Sequence, residues 1–492
     1  MTPPNILWIC TDQQRFDTIG ALGNPHVSTP NIDRLVAEGV AFTHAYCQSP
    51  ICTPSRAGFL TGQYPSTVHI NGNGLASFPD HPPLVTKLLA DEGYDCGLIG
   101  KLHLASAYQR IEPRVDDGYR YWQYSHAPRD DWPTGHDYAD WVRAQGVSLK
   151  ELTNSLDGVP AEFHQTTWCI EKTMEFIREH PKDHNFPWLA SVNIYDPHPP
   201  FNPPKAYRDL FNPALMPGPL FHEGDLAHQA KLAAVDFQSQ AQNPSELDIK
   251  SPIVPRSPLN ADWLDAQGGG ARDAKTLQAA YYAMIKLIDD QLGRLLDLLE
   301  ETGQRENTVI IFMSDHGETL GDHGLIQKGC RFYEGLVRVP LIWSWPGHFP
   351  TGVRSDALVE LTDIAPTLLE LAGQSVPAHM QGRSLLPILS GAQSPDHHRA
   401  FVRCEYYDAL DHADHTYATM YRDNQYKLVV YHGHSDHGHG LGELYDLVAD
   451  PNEFNDLWDN EAYQKLKLEL MQRSFDASML AMDKGPRRIG PM

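Results

Sequence analysis

The sequence predicts an α/β protein with a large, mainly parallel sheet sandwiched by helices and a smaller, antiparallel α+β domain at its end. Up to residue 390, short apolar runs alternate with helical patterns, which is typical of a parallel sheet. Beyond residue 398 the runs are short and alternating, as in antiparallel strands. Because 492 residues exceed the roughly 250–300 that one core serves, we expect two domains, over residues 1–390 and 398–492.

The elements of the large domain follow from apolar spacing and from the residues that flank it. Thr29 and Pro30 mark the beginning of a helix that reaches Glu38, since Thr caps helices and Pro is favoured at their first position. A long helix over Lys275–Thr302 has apolar residues every three or four positions and ends before Gly303. The predicted strands are Asn5–Cys10, Tyr94–Ile99, Trp188–Ile194 and Thr308–Met313.

A change of composition separates the two predicted domains. Residues 390–398 are rich in Gly, Ser, Pro and Asp, which is typical of a linker. After it we predict the strands Ala400–Cys404, Tyr417–Tyr421 and Tyr426–Tyr431 and a helix near Ala462–Ala481. Residues 202–273 are poorly periodic and predict an insertion that serves as a lid or as a contact in a homo-oligomer, either a dimer or a tetramer.

Charge and hydropathy exclude several classes of partner. A net charge of −24 disfavours nucleic acid and anionic membrane surfaces. The longest apolar runs, such as Val309–Met313, are far shorter than the ~20 residues that span a bilayer. The N-terminus has no basic region and too short an apolar stretch for a signal peptide, so we expect the mature chain to begin here and to stay in the cytoplasm.

The cysteines do not form a recognisable framework. They are odd in number, scattered and without a C-x-x-C pair, which argues against both disulfides and a cysteine zinc site. The seven are Cys10, Cys47, Cys52, Cys96, Cys169, Cys330 and Cys404.

Chemically reactive residues follow three of the predicted strands. Asp12 and Gln13 follow the first, Asp196-Pro-His198 follows Ile194, and Asp315-His316-Gly317 follows Met313. Because ligands of open α/β sheets bind beyond the carboxyl ends of strands, we expect these segments to converge. Aspartates at strand ends supply the oxygen ligands that a hard divalent cation prefers.

The most specific segment is Cys52-Thr-Pro-Ser-Arg56-Ala-Gly-Phe-Leu-Thr-Gly62. Pro54 predicts the beginning of a helix, which places Cys52 just before an N-terminus that favours an anion. The segment resembles the sulfatase signature C-x-P-S-R followed by L-T-G, and the resemblance runs through most of the chain. It is the resemblance that implies an alkaline-phosphatase-like fold.

The resemblance implies a formylglycine-dependent, arylsulfatase-like enzyme that hydrolyses small-molecule sulfate esters. In such sulfatases a formylglycine-generating enzyme oxidises the signature cysteine, here Cys52, and the hydrated aldehyde is the nucleophile. Arg56 then hydrogen-bonds this group. The leaving group stays open, since aryl, choline and sugar sulfates all share this core.

Two further segments extend the resemblance. Gly93–His103 is similar to the second sulfatase signature, although Cys96 replaces the usual Thr and Leu102 the usual Trp. It implies that Lys101 holds the sulfate and formylglycine oxygens and that His103 takes a proton during sulfate release.

The segment Asp196-Pro-His198-Pro-Pro-Phe201 is similar to the family pattern D-x-H-x-P-F. The resemblance implies that His198 binds the ester and protonates the leaving oxygen. It also implies that Lys328 binds sulfate and that Asn73 contacts the substrate.

The resemblance also implies one divalent cation, held by Asp12, Gln13, Asp315 and His316 together with the residue at position 52. Sulfatases commonly have two adjacent acidic residues where this chain has Asp12-Gln13, and Asp-Asn where it has Asp315-His316. An amide oxygen and an imidazole replace these donors here. We expect calcium, with manganese as the alternative because of the histidine.

Two other functions remain open at this point. A phosphonate monoester hydrolase or phosphodiesterase of the same superfamily shares the cysteine signature, Asn73 and Lys328, whereas Lys101 and His103 favour sulfate; one enzyme could have both activities. A non-catalytic anion-binding protein with an unmodified Cys52 is the other. The tract His432–His439 is interpreted as a mobile surface loop rather than as a metal site.

Overall fold

A computed structural model describes residues 3–79, 82–107, 111–130, 135–153, 155, 157–182, 186–232, 235, 241–248, 271–410, 416–433 and 440–482. The strands are β1 (Asn5–Thr11), β2 (Gly39–Tyr46), β3 (Asp95–Gly100), β4 (Tyr119–Tyr124), β5 (Trp188–Ile194), β6 (Leu247–Asp248), β7 (Ala271–Arg272), β8 (Thr308–Ser314), β9 (Arg338–Val339), β10 (Leu341–Ser344), β11 (Val353–Glu360), β12 (Val402–Tyr407), β13 (Tyr417–Arg422), β14 (Tyr426–His432) and β15 (Leu441–Asp446).

The α-helices cover the faces of the larger sheet and one face of the smaller one. They are α1 (Pro30–Ala37), α2 (Cys52–Thr61), α3 (Val85–Asp91), α4 (Asp137–Ala144), α5 (Leu149–Thr153), α6 (Gln165–Glu179), α7 (Lys205–Arg208), α8 (Glu223–Lys231), α9 (Ala274–Glu301), α10 (Glu334–Val337), α11 (Ile364–Leu371), α12 (Leu386–Leu389) and α13 (Gln464–Leu480).

The large sheet has the strand order β11-β2-β10-β8-β1-β5-β3-β4, and β9 pairs with β2 beside this path. The central strand β1 runs parallel to both neighbours, so that Ile9 lies opposite Val192 on β5 and opposite Phe312 on β8. Among the strand pairs of this sheet in the described residues, those that involve β9 or β10 are antiparallel. The mainly parallel sheet that the sequence predicts is therefore confirmed.

The central strands are buried on both faces, as a parallel sheet between two helix layers requires. Every residue of β1, β5 and β8 is buried. Successive residues of β1 point to opposite faces. Trp8 therefore joins the core beneath α2, α3 and α11, whereas Leu7 and Ile9 join the core beneath α1, α6 and α9.

The C-terminal sheet is antiparallel, in the order β12-β13-β14-β15, as predicted. Leu470 and Ala477 of α13 cover one face by packing on Leu428 and Leu444. Side chains of the other face, such as Tyr406, belong to the same buried cluster as the large sheet. The predicted domain boundary at residues 390–398 stays a prediction.

Some local expectations need correction. Thr29 occupies the predicted N-cap position of α1, but its side chain caps no helix N–H. Its hydroxyl instead accepts a hydrogen bond from Gly20 N (2.8 Å) and donates one to Asp33 (2.9 Å), which ties the preceding turn to the helix.

Two expectations fall partly outside the described residues. The predicted insertion contains α7, α8 and the β6–β7 pair, while residues 249–270 lie outside the described part of the chain. Of the histidine tract, His432 ends β14 and residues 434–439 are likewise not described. No helix among the described residues is long and apolar enough to cross a membrane.

Candidate active site

The carboxyl ends of three adjacent strands bring the acidic segments to one edge of the sheet. Asp12 follows β1, Asp196 follows β5 and Asp315 follows β8. The backbone N–H of Asp12 donates to the Asp196 carbonyl, and that of Asp315 donates to the Thr11 carbonyl, each at 3.2 Å. Asp12 and Asp315 are completely buried. These backbone hydrogen bonds between neighbouring strands thus fix the positions of Asp12 and Asp315.

Cys52 is the first residue of α2, two residues earlier than Pro54 had suggested. The helix begins there because Ile51 already serves as the N-cap and its carbonyl accepts the N–H of Ser55 (3.1 Å). All ten residues of α2 are buried. The side chain of Asn73 accepts the N–H of Thr53 (3.1 Å), so this residue holds the helix N-terminus beside Cys52.

The sulfur of Cys52 lies among the strand-end residues. Its Sγ is 3.2 Å from Nε2 of His316 and 3.8 Å from Oδ1 of Asp12. Ser55, one helical turn further on, donates a 2.5 Å hydrogen bond to the carbonyl of Asp315. This bond fixes α2 to the end of β8 and aims Cys52 at the two aspartates.

Three buried cations surround this group. The Lys328 ammonium is within hydrogen-bond distance of Sγ of Cys52 (2.7 Å), Oε1 of Gln13 (3.0 Å), Nε2 of His198 (3.1 Å) and Nε2 of His316 (3.3 Å). Lys101 pairs with Asp12, and Nε of Arg56 is 2.9 Å from Asp315. A chain of net charge −24 therefore has a cationic site around Cys52.

The buried cations lower the pKa values of both Cys52 and Asp12. Burial and the neighbouring Asp12 raise the pKa of the Cys52 thiol, but Lys101, Lys328 and His316 outweigh them and lower it overall. Burial also opposes ionisation of Asp12, yet Lys101 and the other nearby cations hold its pKa well below the usual value. The site thus stabilises anions at both positions.

Backbone carbonyls set the histidine tautomers. Nδ1 of His316 donates to the Gly317 carbonyl (2.9 Å), and its Nε2 faces Cys52; burial lowers the pKa of His316, but the charge of Asp315 outweighs burial and raises this pKa overall. Nδ1 of His198 donates in the same way to the Pro199 carbonyl (2.6 Å), so that its Nε2 accepts from Lys328. Burial and Lys328 keep the pKa of His198 well below its usual value.

His103 lies two residues beyond Lys101 and is 8% exposed. Its backbone has a positive φ of 57°, and its ring packs edge-on against His126 with centroids 4.6 Å apart. Burial, followed by the charge of Lys101, keeps the pKa of His103 well below its usual value. The imidazole of His103 is therefore neutral.

The donor set suits a divalent cation. Ligand atoms of Asp12, Cys52, Asp315 and His316 all lie within 4.8 Å of one another, and all four residues are buried. Two carboxylates can supply hard oxygen donors, and Nε2 of His316, when unprotonated, can supply an imidazole nitrogen. The backbone N–H of Gln13 donates to Asp315 (3.0 Å), which ties the segment Asp12-Gln13 to the segment Asp315-His316.

Three buried residues that sequence reasoning did not select support the site. Asn193 on β5 accepts a hydrogen bond from Arg56 (3.2 Å). Glu112 accepts the N–H of His103 (2.9 Å), and burial raises its pKa to about 7. Glu318 accepts from the side-chain amide of Gln13. Only the position of Glu318, three residues after Asp315, could have suggested a role.

Comparison with known families gives two matches. The model of the sulfatase family matches residues 4–374, a range that includes Asp12, Cys52 and Lys328. The model of the family described as N-sulphoglucosamine sulphohydrolase, C-terminal, matches residues 321–478. The first match covers well over half of the chain.

Individual proteins are similar over nearly their whole length. An arylsulfatase from Clostridium perfringens is 28% identical over 491 residues, covering 94% of this chain and 92% of that protein. An N-acetylglucosamine-6-O-sulfatase from Bacteroides thetaiotaomicron is 28% identical over 525 residues, covering 98% and 88%. The solved phosphonate monoester hydrolase of Agrobacterium radiobacter has a TM-score of 0.78 at 25% identity, covering 98% of this chain and 96% of its own.

Proposed function

The chain belongs to the sulfatase family and hydrolyses sulfate esters, and we propose that it does so with a formylglycine made from Cys52 and one bound divalent cation. The observation that carries this proposal is the position of the Cys52 sulfur, which contacts His316, Lys328 and Asp12 at a buried edge of an alkaline-phosphatase-like sheet. In the chain as translated, this sulfur stands where a formylglycine oxygen would be.

The maturation partner in this proposal is a formylglycine-generating enzyme, which converts the thiol of Cys52 to an aldehyde. When present, the hydrated aldehyde supplies the nucleophile for attack on the sulfate ester. Arg56 is proposed to hydrogen-bond this group, and the support is that its guanidinium contacts Asp12 (3.4 Å) and Asp315, the two carboxylates beside Cys52. In this proposal Arg56 holds the nucleophile next to the carboxylates of Asp12 and Asp315.

The lysines and histidines of the site provide charge stabilisation and proton transfer. Lys101 and Lys328 supply positive charge for the sulfate oxygens. Lys328 also donates to Nε2 of His198, so this pair carries the proton that the departing oxygen needs. Neutral His103 accepts the proton released when sulfate leaves, and Asn73 is proposed to contact the substrate beside Cys52.

The proposed cation is calcium, with manganese as the alternative. Asp12, Asp315 and His316 would hold it together with the modified residue 52, whose ligand atoms lie close together, and Gln13 is proposed to add its amide oxygen. The cation would act as a Lewis acid and offset negative charge on the substrate. Its support is the chemistry of the donors, namely three oxygens and one imidazole nitrogen.

Phosphonate monoester or phosphodiester hydrolysis is the second candidate activity. The similarity to the phosphonate monoester hydrolase favours it, because that similarity extends along the whole chain. The presence of Lys101 and His103 favours sulfate instead. The test compares kcat/KM for matched aryl sulfate and aryl phosphonate esters: the sulfate should be the better substrate. A phosphonate that reacts faster would make the second activity the main one.

The proposal also includes the cellular compartment, the class of substrate and the oligomeric state. All seven cysteines are free thiols, which suits the reducing cytoplasm. The substrate is a small aryl, sugar or choline sulfate, and the names of the two sulfatase relatives support the first two classes. We propose a homo-oligomer, a dimer or tetramer, which sedimentation equilibrium tests directly.

A further inference from the structure

The amide of Gln13 is held from two sides by groups that can each play only one hydrogen-bonding role. On one side its Nε2 donates to Oε2 of Glu318. On the other side its Oε1 accepts from the ammonium of Lys328 at 3.0 Å. An ammonium only donates, and an ionised carboxylate only accepts. The carbonyl oxygen of Gln13 must therefore face Lys328 and the site.

The backbone of Gln13 is fixed as well, so the amide cannot adjust by moving as a whole. The residue has a positive φ of 69°, its N–H donates to Asp315 and its carbonyl accepts from the hydroxyl of Tyr281 (2.5 Å). Gln13 and Glu318 are both 0% exposed. Rotation of the terminal amide is the freedom that remains to this side chain.

Glu318 has its own fixed orientation. Its Oε1 accepts the backbone N–H of Leu320 (3.0 Å) and the hydroxyl of Thr319 (3.4 Å). Its Oε2 is thereby left to face Gln13. The strand-end segment that carries Asp315 and His316 thus also carries the acceptor that orients Gln13.

We propose that Glu318 is a positioning residue, which turns the amide oxygen of Gln13 toward the divalent cation and keeps the amide nitrogen away from it. This inference rests on the metal-dependent function proposed above. A cation of this kind takes an oxygen ligand, whereas an amide NH2 presents hydrogens with partial positive charge. A reversed amide would remove a ligand and add a repulsive group.

The variant Glu318→Gln tests this orientation. In it, the new side chain keeps its oxygen on the N–H of Leu320, and its NH2 group therefore faces Gln13. The NH2 group of Gln13 then meets a second NH2 group, while Lys328 still requires the amide oxygen on the other side. Either orientation of the Gln13 amide now places two donors against each other, so its oxygen is no longer held toward the cation. Calcium affinity, measured by isothermal titration of chelator-treated protein and repeated with manganese, should fall about 10- to 100-fold, as for other losses of ligand orientation.

The reciprocal exchange provides the rescue. In the double variant Gln13→Glu, Glu318→Gln, the amide at 318 donates to the carboxylate at 13, which again presents an oxygen to the site. Its calcium affinity should return to within a few-fold of wild type. The single variant Gln13→Glu places two carboxylates against each other and should bind more weakly than the double variant.

A matched control separates orientation from the general loss of a buried acid. Glu443 is also buried and lies in the C-terminal sheet, where it accepts from Tyr431 (2.6 Å) and Tyr445 (2.8 Å). Glu443→Gln should lower stability and leave calcium affinity unchanged.

The outcomes decide between the inference and the function on which it rests. Equal affinities of wild type and Glu318→Gln overturn the inference alone, and so does a double variant that binds no better than Gln13→Glu. The latter comparison decides the matter if Glu318→Gln does not fold. A wild-type protein that binds neither calcium nor manganese overturns the metal-dependent function and the inference together.

Discussion

Lys101 and Lys328 reach the Cys52 region from distant parts of the chain and contact different acceptors. Lys101 pairs with Asp12, whereas Lys328 contacts the Cys52 sulfur and His198. Each ammonium is at least nine-tenths buried, where its charge acts with little screening by water. We therefore expect both lysines to contribute to anion binding, and Lys101, together with His103, to favour sulfate.

Replacing both Lys101 and His103 with glutamine should change substrate preference. Sulfate monoester hydrolysis should lose ~10²–10³-fold in kcat/KM, the usual effect of removing a transition-state contact. Phosphonate hydrolysis should fall less, since Arg56 and Lys328 remain. The measurement is the ratio of kcat/KM for matched aryl sulfate and aryl phosphonate.

A suitable control is Lys427→Gln, because Lys427 is also buried but pairs with Glu334 and Glu453 away from Cys52. It should reduce stability and leave the substrate ratio unchanged. Equal losses of both activities in the Lys101/His103 variant would show that these residues serve catalysis in general rather than sulfate preference.

Sequence motifs could identify residues of the site only where the chain around them is distinctive. Cys52 and Arg56 lie in a dense signature, and Asp12 and Asp315 directly follow apolar strands. No sequence motif surrounds Asn193, which lies within a fully buried strand. Its role depends on a contact with Arg56, which is distant in the sequence. Glu112 and Glu318 likewise act through partners that only the folded chain supplies.

Helix α8 joins the predicted insertion to the C-terminal sheet. Its His228 lies 3.0 Å from Glu443 on β15 and 3.9 Å from Asp456, which follows that strand. Glu443 has a pKa lowered to about 2, because hydrogen bonding and the charge of His228 outweigh burial. Burial and the nearby Glu443 raise the pKa of Asp456 to about 6. This contact should make stability depend on pH.

The sign for Asp456 follows from its raised pKa. Between pH 4 and 6 the unfolded chain loses this proton first, so the folded state loses stability as pH rises through this window. Asp456→Asn should remove this loss and stabilise the protein at pH 7 by on the order of 2 kcal/mol, given ~1.4 kcal/mol per pKa unit. The amide oxygen can still accept the N–H groups of Leu444 (3.0 Å) and Trp458 (2.9 Å).

Urea unfolding of wild type and Asp456→Asn at pH 4 and pH 7 measures this effect. The exposed Asp459→Asn is the control and should behave as wild type. If the variant and wild type differ equally at both pH values, the titration of Asp456 does not contribute.

Elements were predictable where periodicity was strong. The helix predicted over Lys275–Thr302 is Ala274–Glu301, and the predicted strands are present with ends shifted by a few residues. Helix α8 shows no clear apolar pattern, because this short helix buries polar residues such as Asp225 and Gln229. Their partners are distant in the sequence, His323 for Asp225 and Tyr333 for Gln229, which local patterns do not show.

Over the whole molecule, the site depends on the order of strands in the large sheet. Because β1 lies between β5 and β8, residues separated by about three hundred positions meet at one edge. The sequence predicted both the parallel sheet and the convergence of the segments that follow its strands. It could not predict the strand order, which is set by packing of the helices on both faces.

A cation at this edge would link β1 to β8 and should therefore stabilise the whole fold. Chelation should abolish sulfate hydrolysis and lower the Tm, and added calcium or manganese should restore both. A ligand at 100 times its Kd contributes about 2.7 kcal/mol to stability. Calcium-free and manganese-free protein with full activity and unchanged Tm would contradict a metal-dependent mechanism.

The most direct test of the central claim relates the modification of Cys52 to turnover. Preparations made with different amounts of formylglycine-generating enzyme are analysed by intact mass, and aryl sulfate hydrolysis is measured in the same samples. Turnover should rise in proportion to the converted fraction, and Cys52→Ala should be folded and inactive. Unconverted protein, or Cys52→Ala, that hydrolyses the sulfate ester as fast as converted protein would contradict the account.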